Sequence, residues 1–302
     1  LSNYFLVVLN PVANRRKAKN QWPEIKKQLD NLGLNYKLKI SRHPLHLVSI
    51  VSHHLITNER INNLPNAIIV IGGDGTVHET IQGVRKAQEV DEGIVDIPIA
   101  IIPSGSNNNF FNHLKKEFNV KANIEDTMDD PKILMHDVGL FTEHIKKQKG
   151  LFLTNLGIGL DANVFSLKNN FRTHKINLKT RFQYYLSIIP TIYNLSTFPV
   201  VIKANEKKYE LKKVFMVSAT NNDATREIDL MVLKRKNIFQ LFFVLMKVIF
   251  KHHLTVKSAF KIHSSNIRIE IPSLEYGHAD GETLGSRFYD LEYYKFRYPF
   301  LV

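Results

Sequence analysis

The stretch that most constrains this chain is Ile68-Ile69-Val70-Ile71-Gly72-Gly73-Asp74-Gly75-Thr76 and the residues that follow it to Ala87. A β-branched run ends in three glycines, one aspartate and one threonine, and apolar residues then recur at helical spacing at Val77, Ile81 and Val84. That order predicts a buried strand, a tight turn and an amphipathic helix. The glycines leave a bare backbone whose N–H groups can close on an anion, and the helix N-terminus behind them adds a favourable dipole. Asp74 is unusual in such a loop. A carboxylate facing a polyanion is repelled unless a divalent cation, or a proton to be moved, lies between them. The alternative is an ordinary strand-to-helix turn with Asp74 as a cap.

The same alternation recurs on both sides of this loop. Residues 4–9 read as a strand ended by Asn10-Pro11. A helical segment starts near Arg15, Arg16 and Lys17 and carries Trp22, Ile25, Leu29 and Leu32 on one face, with Pro23 implying a first turn or a kink. Residues 36–40 form a second strand with Ser41 at its end, and Leu47, Ile50, Val51 and Leu55 line the next helix. Residues 97–102 make a fourth strand. Strand and helix in alternation predict crossover units in a doubly wound, mostly parallel sheet. Ligands of such sheets collect at the carboxyl ends of the strands, where Asn10, Ser41, Asp74 and the run from Ser104 to Asn109 all fall.

The texture changes after Asp126, Asp129, Asp130 and Pro131. Strand-like runs follow at 133–141, 151–155, 200–203, 209–219, 228–233, 255–262 and 267–271, with helical segments near 178–195 and 238–253 and a last strand or extended tail at 288–298. Strands in series with little alternation predict a mainly antiparallel second domain.

Composition narrows the partners. The 302 residues include no cysteine, which excludes disulfides, thiolate metal sites and cysteine nucleophiles and is compatible with the cytoplasm. No basic region precedes the apolar run near the N-terminus, so no signal peptide is expected, and a chain starting at Leu1 suggests an initiator methionine lost or left out. The longest apolar run, 238–250, is interrupted by Gln240 and Lys247 and falls short of the ~20 residues a spanning helix needs. Net charge is +13. Two long stretches hold no acid: between Asp161 and Glu206 lie Lys168, Arg172, Lys175, Lys179, Arg181 and Lys203, and between Asp229 and Glu270 lie basic residues beginning with Lys234, Arg235 and Lys236. Basic charge mixed with apolar bulk suits an anionic membrane surface. A solvated basic face with no partner is the plain alternative. Nucleic acid is not favoured, since no zinc-finger spacing or RNA-binding motif is present.

Several familiar sites are ruled out. No glycine is followed by lysine, so there is no Walker-type loop. Gly157-Ile158-Gly159-Leu160-Asp161-Ala162 imitates a dinucleotide fingerprint but lacks the acid expected about 20 positions later. The pairs His53-His54 and His252-His253 lack metal-ligand spacing, since helical neighbours point apart. Two motifs remain. Pro103-Ser104-Gly105-Ser106-Asn107-Asn108-Asn109-Phe110 offers uncharged donors for a phosphate or ribose, or else an Asn-rich turn and cap. Asp280-Gly281-Glu282 is a second carboxylate site, or else a hairpin turn.

Gly72 to Thr76 resembles the nucleotide-binding signature shared by diacylglycerol kinases, sphingosine kinases, NAD kinases and phosphofructokinases. At Asn10-Pro11, at 104–110, at 152–164 and at 278–282 the chain resembles, in family order, the bacterial diacylglycerol kinases and related lipid kinases. The resemblance implies a Rossmann-like nucleotide-binding α/β domain over 1–126, joined by a returning tail at about 287–302, and a β-sandwich lipid-substrate domain over 127–286. It implies ATP in the cleft, with Asn10, Ser41, Gly72, Gly73, Gly75, Thr76, Gly105, Ser106 and Asn108 as nucleotide contacts. It assigns Asp74 to organising Mg-ATP, Glu282 to accepting the proton of the attacking alcohol, and Asp280 to the same catalytic site. The expected activity is ATP- and Mg2+-dependent transfer of the γ-phosphate to a lipid hydroxyl such as that of diacylglycerol. The implied protein is cytoplasmic and peripherally membrane-associated, its partners are ATP, a lipid alcohol and an anionic membrane surface, and a homodimer is left open. The alternative is a catalytically weak regulatory protein that binds nucleotide or lipid on the same fold.

The chain departs from the family at several points. His78 and Gln82 replace asparagines, Ser106 replaces a threonine, and Asn109 replaces an aspartate. Thr225-Arg226 stand where Asp-Gly is customary, so the resemblance does not extend to the structural magnesium site known in part of the family. Glu227 and Asp229 lie nearby and are not named ligands. Asp74 and Glu282 are both present, which favours a working kinase.

Overall fold

β-branched runs and amphipathic helices alternate through the first part of the protein. The computed structural model describes residues 4–60, 62–105, 108–160, 196–221, 227–235, 259–280 and 282–302. The chain divides into two units, Leu1–Val138 with Phe296–Val302, and Gly139–Lys295. The sequence expectation set these borders at 126 and about 287; they fall instead within two long strands, where no change of composition marks them.

The first unit runs β1 (Phe5–Leu9), α1 (Ala13–Asn31), β2 (Tyr36–Ile40), α2 (His46–Glu59), β3 (Ile68–Gly72), α3 (Asp74–Val90), β4 (Ile99–Pro103), α4 (Asn109–Phe118) and α5 (Ile124–Asp129). β1 pairs in parallel with β2 and β3, and β3 with β4. The end of the last strand, β13 (Glu282–Leu301), joins β4 in parallel at Phe300. Every residue of β3 is buried, as its unbroken apolar run requires of a strand covered on both faces. On one face Val7, Leu9, Ile69, Ile71, Ala100 and Ile102 pack with Ala18, Ile25 and Leu29 of α1 and Ile124 of α5. The alternate residues Leu6, Val8, Ile68, Val70 and Ile99 are equally inaccessible. The break in α1 falls at Asn14, Arg15 and Arg16, which all adopt left-handed backbone, and not at Pro23, which lies inside the helix.

The second unit is antiparallel. After β5 (Ile133–Glu143) come β6 (Gln148–Phe152), β7 (Asn155–Gly159), β8 (Phe198–Ala204), β9 (Lys207–Asn221), β10 (Ile228–Lys234), β11 (Phe260–Ser264) and β12 (Ile267–Ala279). Its strands form one continuous hydrogen-bonded set. The long strands β9 and β12 each pair with β7 near one end and with β8 near the other, so these four close on one another. Register shifts between Ile271 and Glu275, and between Phe198 and Val200, let the strands change partner. Phe152, Phe198, Leu291 and Tyr293 lie in the buried core of this unit. The expected helices at 178–195 and 238–253, and most of the two acid-free basic stretches, fall outside the described residues.

Candidate functional site

The parallel sheet of the first unit brings the carboxyl ends of β1, β2, β3 and β4 to one edge. Asn10, just after β1, donates from Nδ2 to Thr76 Oγ1 at 3.4 Å, while its Oδ1 accepts from the Val12 N–H. Ser41 is buried and its N–H donates to the Leu9 carbonyl at 2.9 Å. The Gly72 carbonyl accepts from the N–H groups of Ser104 and Gly105 at 2.7 and 3.1 Å. The loops after β3 and β4 therefore touch backbone to backbone. A Cβ on Gly105 would sit 2.5 Å from Gly73 Cα, and one on Gly73 would sit 3.0 Å from Gly105 Cα. A Cβ on Gly72 would run into the Thr76 side chain. These glycines are required by loop packing before any ligand is considered. Asn108, at the left-handed N-cap of α4, donates from Nδ2 to the Gly105 carbonyl at 3.1 Å. Gly75 lies in the first turn of α3. Ser106 and Asn107 fall outside the described residues.

Asp74 is the first residue of α3, yet its carboxylate serves another helix. Oδ2 accepts from the Asn109 N–H at 2.7 Å and Oδ1 from the Phe110 N–H at 3.1 Å. These are N–H groups of the first turn of α4, which have no partner within their own helix. Two helix N-termini thus converge on one carboxylate, and their dipoles favour negative charge there. The cap foreseen from the sequence exists, but on α4 and not on the turn's own helix. Beside this turn the His78 and Gln82 side chains meet at 3.2 Å.

Sequence reasoning missed Glu79. It is buried on α3, and its carboxylate accepts from the N–H groups of Leu45 and Leu47 at 3.0 and 3.1 Å, capping α2. Leu45 is in left-handed backbone and offers no side-chain oxygen of its own. Its helical neighbours Gly75, Thr76, Gln82 and Gly83 are small or polar, so no local pattern marks it. One helix, α3, thus caps both of its neighbours.

In the second unit Asp280 and Glu282 belong to the hairpin between β12 and β13, with Ala279 paired to Glu282 across the turn. Asp280 has φ 50. Its carboxylate accepts from the N–H groups of Leu153, Thr154 and Asn155, at 2.5, 2.8 and 3.1 Å, and from Thr154 Oγ1 at 2.7 Å. The turn and the carboxylate are one device: Asp280 ties the hairpin to the connection between β6 and β7. Glu282 is partly exposed at the start of β13, and Gly281 falls outside the described residues. Gly157 and Gly159 lie within β7, paired with β9 and β12, so this run is not a dinucleotide turn. Asp229 pairs with His263 Nδ1 at 2.5 Å.

Residues 4–136 match the diacylglycerol kinase catalytic domain family. This part of the chain is similar to the catalytic domain of diacylglycerol kinases. The matched segment contains every loop of the strand-end site, from Asn10 to Asn109. YtlR of Bacillus subtilis (strain 168), described as a candidate lipid kinase, is 22% identical over 308 residues, covering 95% of each chain. Sphingosine kinase 1 of Caenorhabditis elegans is 23% identical over 167 residues, 53% of this chain and 34% of that protein. Among solved structures, a diacylglycerol kinase from Bacillus anthracis str. Sterne superposes with a TM-score of 0.64 at 18% identity, covering 99% of this chain and 96% of that one. A second structure from that organism gives 0.68 at 20% identity. The structural likenesses carry the two-domain fold. Among the described residues no helix is long and apolar enough to cross a membrane.

Proposed function

We propose that this protein is a lipid kinase that transfers the γ-phosphate of ATP to the hydroxyl of a lipid such as diacylglycerol at a membrane surface. The observation that carries this reading is the contact of the two glycine loops at Gly73 and Gly105, with two helix N-termini directed at Asp74. Such an edge of a Rossmann-like sheet is suited to polyphosphate: backbone approaches closely, the dipoles are favourable, and the nearby side chains of Asn10, Thr76 and Asn108 bring no charge. Ser41, Gly72, Gly75 and Ser106 complete the proposed nucleotide contacts.

Among the described residues no group of three or more His, Asp or Glu could hold a metal by itself. Magnesium would enter with the nucleotide, Asp74 would hold it, and it would neutralise phosphate charge. Asp74 would orient that ion while it fixes the loop that opens α4. Glu282 accepts the proton of the lipid hydroxyl, and Asp280 holds the hairpin that presents it. Membrane association is peripheral and rests on the net charge of +13 and the two acid-free stretches.

A second reading has a specific observation behind it. Both Asp74 oxygens already accept N–H bonds, and His78 and Asn109 stand where the family has other residues, as they would in a protein that holds nucleotide and turns over little. One assay separates the two: labelled ATP with a panel of lipid alcohols in mixed micelles, beside calorimetry with Mg-ATP. Phosphorylated lipid establishes the kinase, and a Glu282→Gln protein should then lose about 10²–10⁴-fold in kcat with ATP affinity kept. Mg-ATP binding without product establishes the second reading. Absence of Mg-ATP binding at millimolar concentration defeats both.

A further inference from the structure

Away from the strand-end loops, a cavity of about 400 Å3 opens between β2 and α2. β2 lines it with Lys37 and Lys39, and α2 with His53, His54, Thr57 and Asn58. The geometry of the two elements puts these residues together. β2 is the edge strand of its sheet, with Tyr36 and Leu38 packed on the α1 side, so pleating turns Lys37 and Lys39 to the opposite face. On α2, Thr57 neighbours both His53 at i+4 and His54 at i+3, and all three line the cavity.

The lining is positive and organised. No carboxylate lines the cavity. Glu59, the acid at the end of α2, is placed instead against Gly93. The Lys37 ammonium lies 4.1 Å from the centre of the Tyr4 ring and donates to Asn58 Oδ1 at 3.3 Å. Asn58 in turn donates from Nδ2 to the His54 carbonyl at 2.7 Å, which fixes its amide. The His54 ring is held by the Tyr4 hydroxyl, 2.9 Å from Nε2, and that hydroxyl also donates to the Asn63 carbonyl. Lys37 and Lys39 form no ion pair with a carboxylate among the described residues. Burial, then the charges of Lys39, Lys37 and His53, lower the His54 pKa to about 4. Lysines on a strand edge also discourage edge-to-edge pairing, but that role needs neither a cavity nor the ordered Asn58, His54 and Tyr4 behind it.

We propose that this cavity binds a phosphate-bearing anion through Lys37, Lys39 and His53, with Thr57 and Asn58 as neutral hydrogen-bond partners. Its volume lies within the range of small-molecule sites and exceeds what inorganic phosphate fills, so the ligand is a phosphate monoester carrying a small polar group. That chemistry is offered both by a free sugar or polyol phosphate and by the head group of phosphatidic acid. The site does not depend on the nucleotide reading, and none of its residues belongs to the loops described above.

The test uses the full chain in two arms. In the first, the His54 imidazole is titrated by nuclear magnetic resonance with and without glycerol 3-phosphate. Binding beside His54 should raise its apparent pKa by about one unit or more, since a nearby opposite charge favours the protonated ring. Lys39→Gln, an exposed change that leaves the core intact, should weaken this binding about tenfold. In the second arm, co-sedimentation is measured with phosphatidylcholine vesicles with and without phosphatidic acid, for the wild type and for Lys37→Gln/Lys39→Gln. A response to glycerol 3-phosphate identifies a site that takes free phosphate monoesters. A response confined to phosphatidic acid vesicles and lost in the double variant identifies a head-group site. No response in either arm, or responses unchanged by the lysine substitutions, overturns the proposal.

Discussion

At the scale of single residues, the glycines of the strand-end loops answer first to packing. Gly105 and Gly73 sit so close that a methyl group on Gly105 would press on the other backbone. Gly105→Ala should therefore cost roughly 1–3 kcal/mol, as overpacking does, and weaken Mg-ATP binding by displacing the loop. Urea denaturation and calorimetry on the same protein check both parts. Unchanged stability together with unchanged binding would show that the loops yield freely. His54 makes a separate forecast. Its folded pKa is about 4 against an ordinary 6.5, so the unfolded chain binds a proton there first as pH falls. Its contribution to stability is complete above about 6.5, declines as pH falls through the window and levels below about 4. The difference in denaturation midpoint between wild type and His54→Gln should follow that curve. A difference independent of pH would mean that His54 matters only through its contacts.

At the scale of elements, α3 organises the first unit. Asp74 at its start caps α4, and Glu79 one turn later caps α2. Its Gly83 faces Val51 with no room for a methyl group, so α2 and α3 approach closely. Replacing either carboxylate by alanine removes a cap and should cost about 1–2 kcal/mol. The two variants part company in function: Asp74→Ala should lose Mg-ATP binding and turnover, while Glu79→Ala, once folded, should keep both. Thermal denaturation with calorimetry and the lipid phosphorylation assay measures this, and equal loss of binding in both would reduce Asp74 to a structural cap. The hairpin that holds Asp280 follows the same economy, one carboxylate satisfying four donors on a neighbouring connection.

At the scale of the whole molecule, the last residues of the chain belong to its first unit. Phe300 is fully buried beside Phe110, His136 and Tyr298, and the Tyr298 hydroxyl donates to the Ile97 carbonyl at 2.8 Å. Lys132 and Val302 exchange two backbone hydrogen bonds. Phe300→Ala should cost about 3–5 kcal/mol, the range for a buried aromatic, and should lower the unfolding temperature and Mg-ATP affinity together. Calorimetry showing an intact transition would mean that the tail adds little to that unit. Local pattern was enough to read the β1 to β4 alternation, the gathering of Asn10, Ser41, Asp74 and Ser104 at strand ends, and the antiparallel second half, because period, turn residues and apolar runs are properties of neighbours in the chain. Local pattern could not show that Asp74 would cap α4, that Glu79 would cap α2, that Gly73 needs Gly105, or that Lys37 and His54 would share a cavity. Those depend on residues far apart in sequence. Their hydrogen bonds and close contacts exist only after the sheet has brought its strands into register, so tertiary structure alone decided them.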